Sequence, residues 1–160
     1  MNLRKYGTLL LIDDEKDIGE ILVEVFTPHF EKVIYCDNAQ EALGVTKAST
    51  LSAIITDLNM PHLPGDQLVR KIRSNGDLTP IVFLTGHASK EMVLSAMRLG
   101  VSDVFEKPFD TDFLVQRLDR VLEIEKRKRK IYTTTDPVAL ENEKKMLGLL
   151  HVVSEAKKVA

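Results

Sequence analysis

From Thr8 onward the chain alternates short, apolar, β-rich runs with longer stretches whose apolar residues recur every three to four positions. That alternation is the pattern of a parallel sheet joined by crossover helices. Strands are expected over residues 8–12, 32–36, 53–56, 81–84 and 103–105. The first four are nearly continuous apolar runs, as suits strands covered on both faces.

The intervening stretches supply the helices. Ile18, Ile21, Leu22, Val25 and Phe26 keep a helical spacing over residues 15–27, with Pro28 as the stop. Asn38 with Glu41 forms a capping pair for a second helix that turns Ala39, Ala42, Leu43 and Val45 inward. Pro64, then Leu68, Val69 and Ile72, describe a third helix ending near Asn75-Gly76. A fourth spans residues 89–99 and stops at Gly100. Asp110 is the N-cap of a fifth carrying Phe113, Leu114, Leu118, Val121 and Leu122. Five βα units predict an α/β, doubly wound, five-stranded parallel sheet in the flavodoxin-like order 2-1-3-4-5. Right-handed crossovers then bring every carboxyl strand end to one edge.

Composition narrows the function classes. The 160 residues hold 22 Lys and Arg against 24 Asp and Glu, a net charge of −2, which is ordinary for a globular protein and argues against a dedicated nucleic-acid binder. The longest early apolar run, Leu9 to Ile12, meets Asp13-Asp14 at once and is neither a secretory core nor a membrane span. Cys36 is the single cysteine, so no internal disulfide forms; it reads as a small core residue, and a cytoplasmic protein is expected.

The chemistry gathers at the predicted sheet edge. Asp13 and Asp14 follow the first strand, Asp57 the third, Thr85 the fourth, and Lys107-Pro108 the fifth. Three carboxylates so placed repel one another unless a cation joins them, and an all-oxygen set favours Mg²⁺. With the charge neutralised, a carboxylate can attack phosphorus to give an acyl phosphate, and Asp57 is the candidate nucleophile. The Lys107 ammonium and the Thr85 hydroxyl would stabilise the transferred group's oxygens.

These residues resemble the receiver domain of bacterial two-component response regulators. The likeness is carried by Asp13-Asp14, the run Asp57-Leu58-Asn59-Met60-Pro61 continuing to Gly65, Thr85-Gly86 and Lys107-Pro108-Phe109, and it covers residues 6–125. It implies that Asp57 accepts a phosphoryl group from a sensor histidine kinase or histidine phosphotransfer protein. It also implies that Asp13, Asp14, Asp57 and the backbone carbonyl of Asn59 hold Mg²⁺, with Thr85 and Lys107 as switch hydroxyl and phosphoryl-binding lysine. Asn59 and His87 fall where the family varies its dephosphorylation rate. One family feature is missing: three residues before the lysine, where most receivers carry Tyr or Phe, stands Val104. Phe105 cannot replace it, because adjacent strand residues face opposite ways. The signal is then expected to leave through the loop and helix after Thr85. His29, His62 and His151 show no ligand spacing and are read as surface or packing residues.

Residues 126–160 form a different segment. Residues 1–115 carry a net charge of −6 and residues 116–160 one of +4, with a basic run from Lys126 to Lys130. Asp136-Pro137 starts a last, amphipathic helix with Leu140, Met146, Leu147, Leu150 and Val153 near one face. Three uses are open: packing on the receiver or a partner subunit, phosphorylation-dependent docking or homodimerisation, and nucleic-acid binding through the basic run. The chain is therefore expected to be a stand-alone receiver, residues 1–125, with a helical extension and no separate output domain. It would act on a downstream protein or as a phosphorelay intermediate. A small Mg²⁺-dependent phosphatase is the alternative from another class. A dinucleotide-binding oxidoreductase is excluded, since Leu11-Ile12-Asp13-Asp14 stands where the glycine loop would be.

Overall fold

The computed structural model describes residues 6–159, with side chains through residue 148. Its order is β1 (Tyr6–Ile12), α1 (Lys16–Phe26), β2 (Phe30–Cys36), α2 (Ala39–Ala48), β3 (Ala53–Asp57), α3 (Gly65–Ser74), β4 (Ile81–Thr85), α4 (Lys90–Arg98), β5 (Asp103–Glu106), α5 (Thr111–Thr133) and α6 (Pro137–Val159). The five strands form one parallel sheet in the order β2-β1-β3-β4-β5, as expected. The chain divides into two compact units, Met1–Val115 and Gln116–Ala160.

In the first unit, alternation along the strands sorts side chains to two faces. Leu10, Ile12, Ile54, Ile81 and Phe83 join one buried cluster with Ala39 and Ala42 of α2, Leu68, Val69 and Ile72 of α3, and Ala96 of α4. Leu9, Leu11, Ile55 and Leu84 are as deeply buried at the alternate positions, as are Leu22 and Phe26 of α1. A sheet so covered explains the unbroken apolar runs. Ile21 departs from the inward stripe expected of α1 and is about half exposed, at 49%, while Leu22 beside it is fully buried.

The caps follow the sequence. The Asn38 side chain accepts from Glu41 N, Ser89 from Met92 N and Asp110 from Phe113 N. Gly76 and Gly100 take positive φ, 77° and 67°, just past α3 and α4, where the left-handed region suits glycine. Arg73, near the end of α3, fastens the rim opposite the carboxyl strand ends. Its guanidinium donates to the carbonyls of Asp77 (2.8 Å), Thr79 (3.0 Å), Leu99 (3.4 Å) and Gly100 (3.2 Å).

In the second unit, Lys126 to Lys130 continue α5 as helix. Arg127 and Lys130 both pair with Glu143 of α6, so two of the basic residues are held by an acidic side chain of the same unit. Val138 and Met146 are exposed, Leu140 and Leu147 half-buried. The placements expected for Leu150, His151 and Val153 lie outside the described side chains.

Candidate phosphoryl-transfer site

β1 ends at Ile12, and Asp13 N donates to the Cys36 carbonyl, so the chain leaves the sheet one residue later with Asp13 still buried. The Asp13 carboxylate accepts from Glu15 N at 2.9 Å, turning the chain toward α1. Glu15 keeps an extended backbone (φ −82°, ψ 97°), and α1 starts after it, so the expected start at residue 15 is corrected by one position. On the other side of Asp13, the Tyr35 hydroxyl donates to its carbonyl oxygen at 2.7 Å. That ring lies over Gly19: a Cβ there would stand 2.3 Å from Tyr35 Cε2.

Asp57 is the last residue of β3, beside Leu84 of β4. Its carboxylate accepts from Asn59 N at 3.3 Å. The start of α3 packs directly on this corner. Gly65 N donates to the Leu58 carbonyl, and a Cβ on Gly65 would come within 2.4 Å of the Asp57 carbonyl oxygen. Only glycine permits that approach, which gives Gly65 a physical role in setting the Asp57 backbone.

Lys107 enters from the end of β5, its N–H donating to the Thr85 carbonyl. Its Nζ lies 2.8 Å from Asp13 Oδ2, 2.9 Å from Glu15 Oε1 and 3.6 Å from Asp57 Oδ2. Carboxylate oxygens of Asp13, Asp14 and Asp57 all lie within 4.8 Å of one another. Four sequence-predicted residues, Asp13, Asp14, Asp57 and Lys107, are therefore brought together. Thr85 is fully buried, but its hydroxyl is engaged elsewhere, donating to the His87 carbonyl (3.0 Å) and accepting from His87 N (3.2 Å). The same loop is tied to β5 through Ala88 N, which donates to Glu106 Oε1. Asn59 is exposed.

Electrostatics agree with a site built for added positive charge. Burial pushes both the Asp13 and the Asp57 carboxyl above the ordinary value, and the attraction of Lys107 opposes this in each. Burial pulls the Lys107 ammonium down, but its hydrogen bonds to Asp13 and Glu15 outweigh that and hold it above its ordinary range. A compact all-oxygen donor set with two desolvated carboxylates fits a hard divalent cation.

Glu15 and Tyr35 were missed among the site residues. The only signal for Glu15 was a third consecutive acidic residue after β1; for Tyr35 it was a glycine, Gly19, within an otherwise helical run. Val104 packs with the cluster that holds Phe83, whereas Phe105 turns the other way and meets Phe113 edge-on, centroids 5.8 Å apart. Phe105 thus does not stand in for an aromatic residue at position 104.

A doubly wound sheet with an acidic cluster and a lysine at its carboxyl edge defines a class of phosphoryl-accepting signalling domain. Residues 9–119 match the response regulator receiver domain, and the chain belongs to that family. It is 28% identical over 124 residues to the chemotaxis protein CheY-3 of Vibrio cholerae, covering 76% of this chain and 95% of that protein. It is 31% identical over 123 residues to a putative NtrX-like response regulator of Rickettsia bellii, covering 76% of this chain but 26% of the relative. Against a hybrid signal transduction histidine kinase of Dictyostelium discoideum the match, 29% identical, covers 80% of this chain and 8% of that protein. The chain thus spans about a quarter or less of several relatives. Among solved structures, FixJ-N superposes with a TM-score of 0.67 at 28% identity, covering 75% of this chain and 95% of the other. CheY4 of Vibrio cholerae superposes with a TM-score of 0.68 at 26% identity, covering 73% and 99%. Receiver domains are signalling domains that accept phosphoryl groups from histidine kinases, and residues 9–119 form such a domain; the autonomous phosphatase is not favoured. Among the described residues, no helix is long and apolar enough to cross a membrane.

Proposed function

We propose that Asp57 is the phosphoryl acceptor, that Asp13, Asp14, Asp57 and the Asn59 carbonyl hold Mg²⁺, and that Lys107 and Thr85 stabilise the acceptor once loaded. The observation that carries this reading is the meeting of three carboxylates within 4.8 Å with Lys107 Nζ 3.6 Å from Asp57 Oδ2. An Asp57 carboxylate oxygen attacks the phosphorus of a phosphohistidine; the new O–P bond forms as the N–P bond breaks, and the imidazole leaves with the electron pair. When bound, Mg²⁺ supplies charge for the transferred oxygens and relieves the repulsion among the carboxylates. Lys107 moves from the carboxylates toward the new phosphoryl oxygens, and Thr85 exchanges its His87 bonds for one to the same group. The chain thereby promotes both its own phosphorylation and the later hydrolysis.

The partners on this reading are a sensor histidine kinase or phosphotransfer protein upstream and a protein target downstream, in the cytoplasm. Residues 126–160 serve as an accessory segment to a receiver of residues 1–125. Direct nucleic-acid binding by the basic run is weakened by the Arg127 and Lys130 pairs with Glu143.

Native mass spectrometry with Mg²⁺ and acetyl phosphate, run beside Asp57→Asn, tests the assignment. One added phosphoryl group on the wild type alone supports it, and equal uptake by the variant sinks it. The monomer-to-dimer ratio in the same spectra reports on assembly.

A further inference from the structure

We propose that Glu15 is a positioning residue that competes with the phosphoryl group for the Lys107 ammonium and so restrains phosphorylation of the switch; this rests on the reading of Lys107 as the phosphoryl-binding lysine.

The Lys107 ammonium has two close acceptors, Asp13 Oδ2 at 2.8 Å and Glu15 Oε1 at 2.9 Å, while Asp57 Oδ2 stands farther off at 3.6 Å. The Lys107 side chain is only 14% exposed, so few water molecules are at hand to replace a lost partner. The two close acceptors differ in what becomes of them. Asp13 belongs to the carboxylate cluster, and an oxygen shared with a cation is a weaker acceptor for an ammonium. Glu15 stands outside that cluster. Its backbone is held by the bond from Glu15 N to Asp13 Oδ1, and its side chain reaches the Lys107 ammonium.

A phosphoryl group arriving at Asp57 must draw Lys107 off Glu15, and its own negative charge meets that of Glu15 as it arrives. Both effects act in one direction. Removing the Glu15 charge frees the ammonium and lowers the repulsion, so uptake should quicken. Because the Glu15 side chain is 61% exposed, the pair belongs to the weaker class of ion pairs, and an effect of about two- to fivefold is expected, shrinking as salt is raised.

The test compares wild type, Glu15→Gln, Lys107→Gln and the double variant in two measurements. The first is the rate of phosphoryl uptake from acetyl phosphate at saturating Mg²⁺. Faster uptake in Glu15→Gln that disappears in the Lys107→Gln background supports the proposal. An unchanged rate overturns it, as does an equal gain in both backgrounds, which would mean that Glu15 acts only as bulk charge. The second is reductive methylation of Lys107, followed by peptide mapping on wild type and Glu15→Gln. This arm needs no phosphorylation, so it separates the two readings. If no form takes up phosphate, the phosphoryl-acceptor assignment falls, and methylation alone decides on Glu15: a faster reaction at Lys107 in Glu15→Gln supports the hold of Glu15 on the ammonium, and an equal rate overturns it.

Discussion

The Tyr35 hydroxyl donates to the backbone carbonyl of Asp13 across 2.7 Å, so the end of β2 holds the first carboxylate of the site by its main chain. The contact exists because Gly19 of α1 leaves room for the ring. Tyr35→Phe removes the donor and is expected to cost about 1 kcal/mol. Gly19→Ala drives a methyl group into the ring and is expected to cost about 1–3 kcal/mol, since α1 or Tyr35 must shift. Urea denaturation checks both, and a Gly19→Ala protein as stable as wild type would show that the ring moves aside freely.

Asp57→Asn should stabilise the protein when no divalent cation is present. Burial raises the Asp57 carboxyl above its unfolded value, so the folded state holds its proton to higher pH than the unfolded chain does. Stability linked to this group is then present at low pH and is lost as pH rises through the folded value. In EDTA at pH 7.5 the variant is expected to melt above wild type, with the gap closing as pH falls toward the ordinary carboxylate range. Mg²⁺ at 100 times its dissociation constant should add about 2.7 kcal/mol to wild type and less to the variant. A variant that melts lower than wild type in EDTA would contradict the cost of burying the ionised Asp57 carboxylate.

Val104→Ala is expected to leave phosphoryl uptake at Asp57 within twofold of wild type, because position 104 packs with the apolar cluster around Phe83. A loss of about 1 kcal/mol in stability is expected from the deleted methyl groups. With no aromatic residue here, the response to phosphorylation should run through residues 86–99. Amide hydrogen exchange of that segment, with and without phosphorylation, is the measurement. Loss of the response in Val104→Ala with Asp57 chemistry intact would return the switch to position 104.

Cys36 should report global unfolding. Burial pushes its thiol up to about 11, and the residue is fully buried, so neither thiolate nor access is available near neutral pH. Alkylation by iodoacetamide at pH 8 should be slow and should track denaturant-induced unfolding. Stability linked to this thiol falls as pH rises above the unfolded value of about 8.5. Rapid alkylation of the native protein would show local opening at the end of β2.

Strand positions were legible because buried parallel strands leave unbroken apolar runs, and their errors have a common cause. β1 and β2 begin two residues earlier than expected, at Tyr6 and Phe30, which pair in register and bring their rings to 5.4 Å. Gly7 and the charged pair Glu31-Lys32 hide that pairing from a pattern of local hydrophobicity. β3, β4 and β5 each run one residue farther than expected, because Asp57, Thr85 and Glu106 occupy the last ladder positions despite being polar. In the site, Asp13, Asp14, Asp57 and Lys107 were legible because each directly ends or follows a strand. Glu15 and Tyr35 act through contacts 92 and 22 residues apart, and neither carries a local pattern that announces its partner. The engagement of the Thr85 hydroxyl with His87 depends on a loop conformation that strand patterning does not encode.

The Arg73 guanidinium joins the end of α4 to the end of α3 and to the segment before β4, all on the rim away from the carboxylates. Before the opposite end of α4, Ala88 N donates to Glu106 Oε1 at a long 3.3 Å, the His87 ring nitrogen lies 3.8 Å from the same oxygen, and His87 is bonded to the Thr85 hydroxyl. A helix held more firmly at one end pivots rather than translates. For a nine-residue helix about 13 Å long, a rotation of about 10° carries the near end through about 2 Å. On the proposed route through Thr85, Arg73 is the fulcrum: a small rearrangement at Thr85 would sweep Ser89 and the first turn of α4 while the far rim stays still.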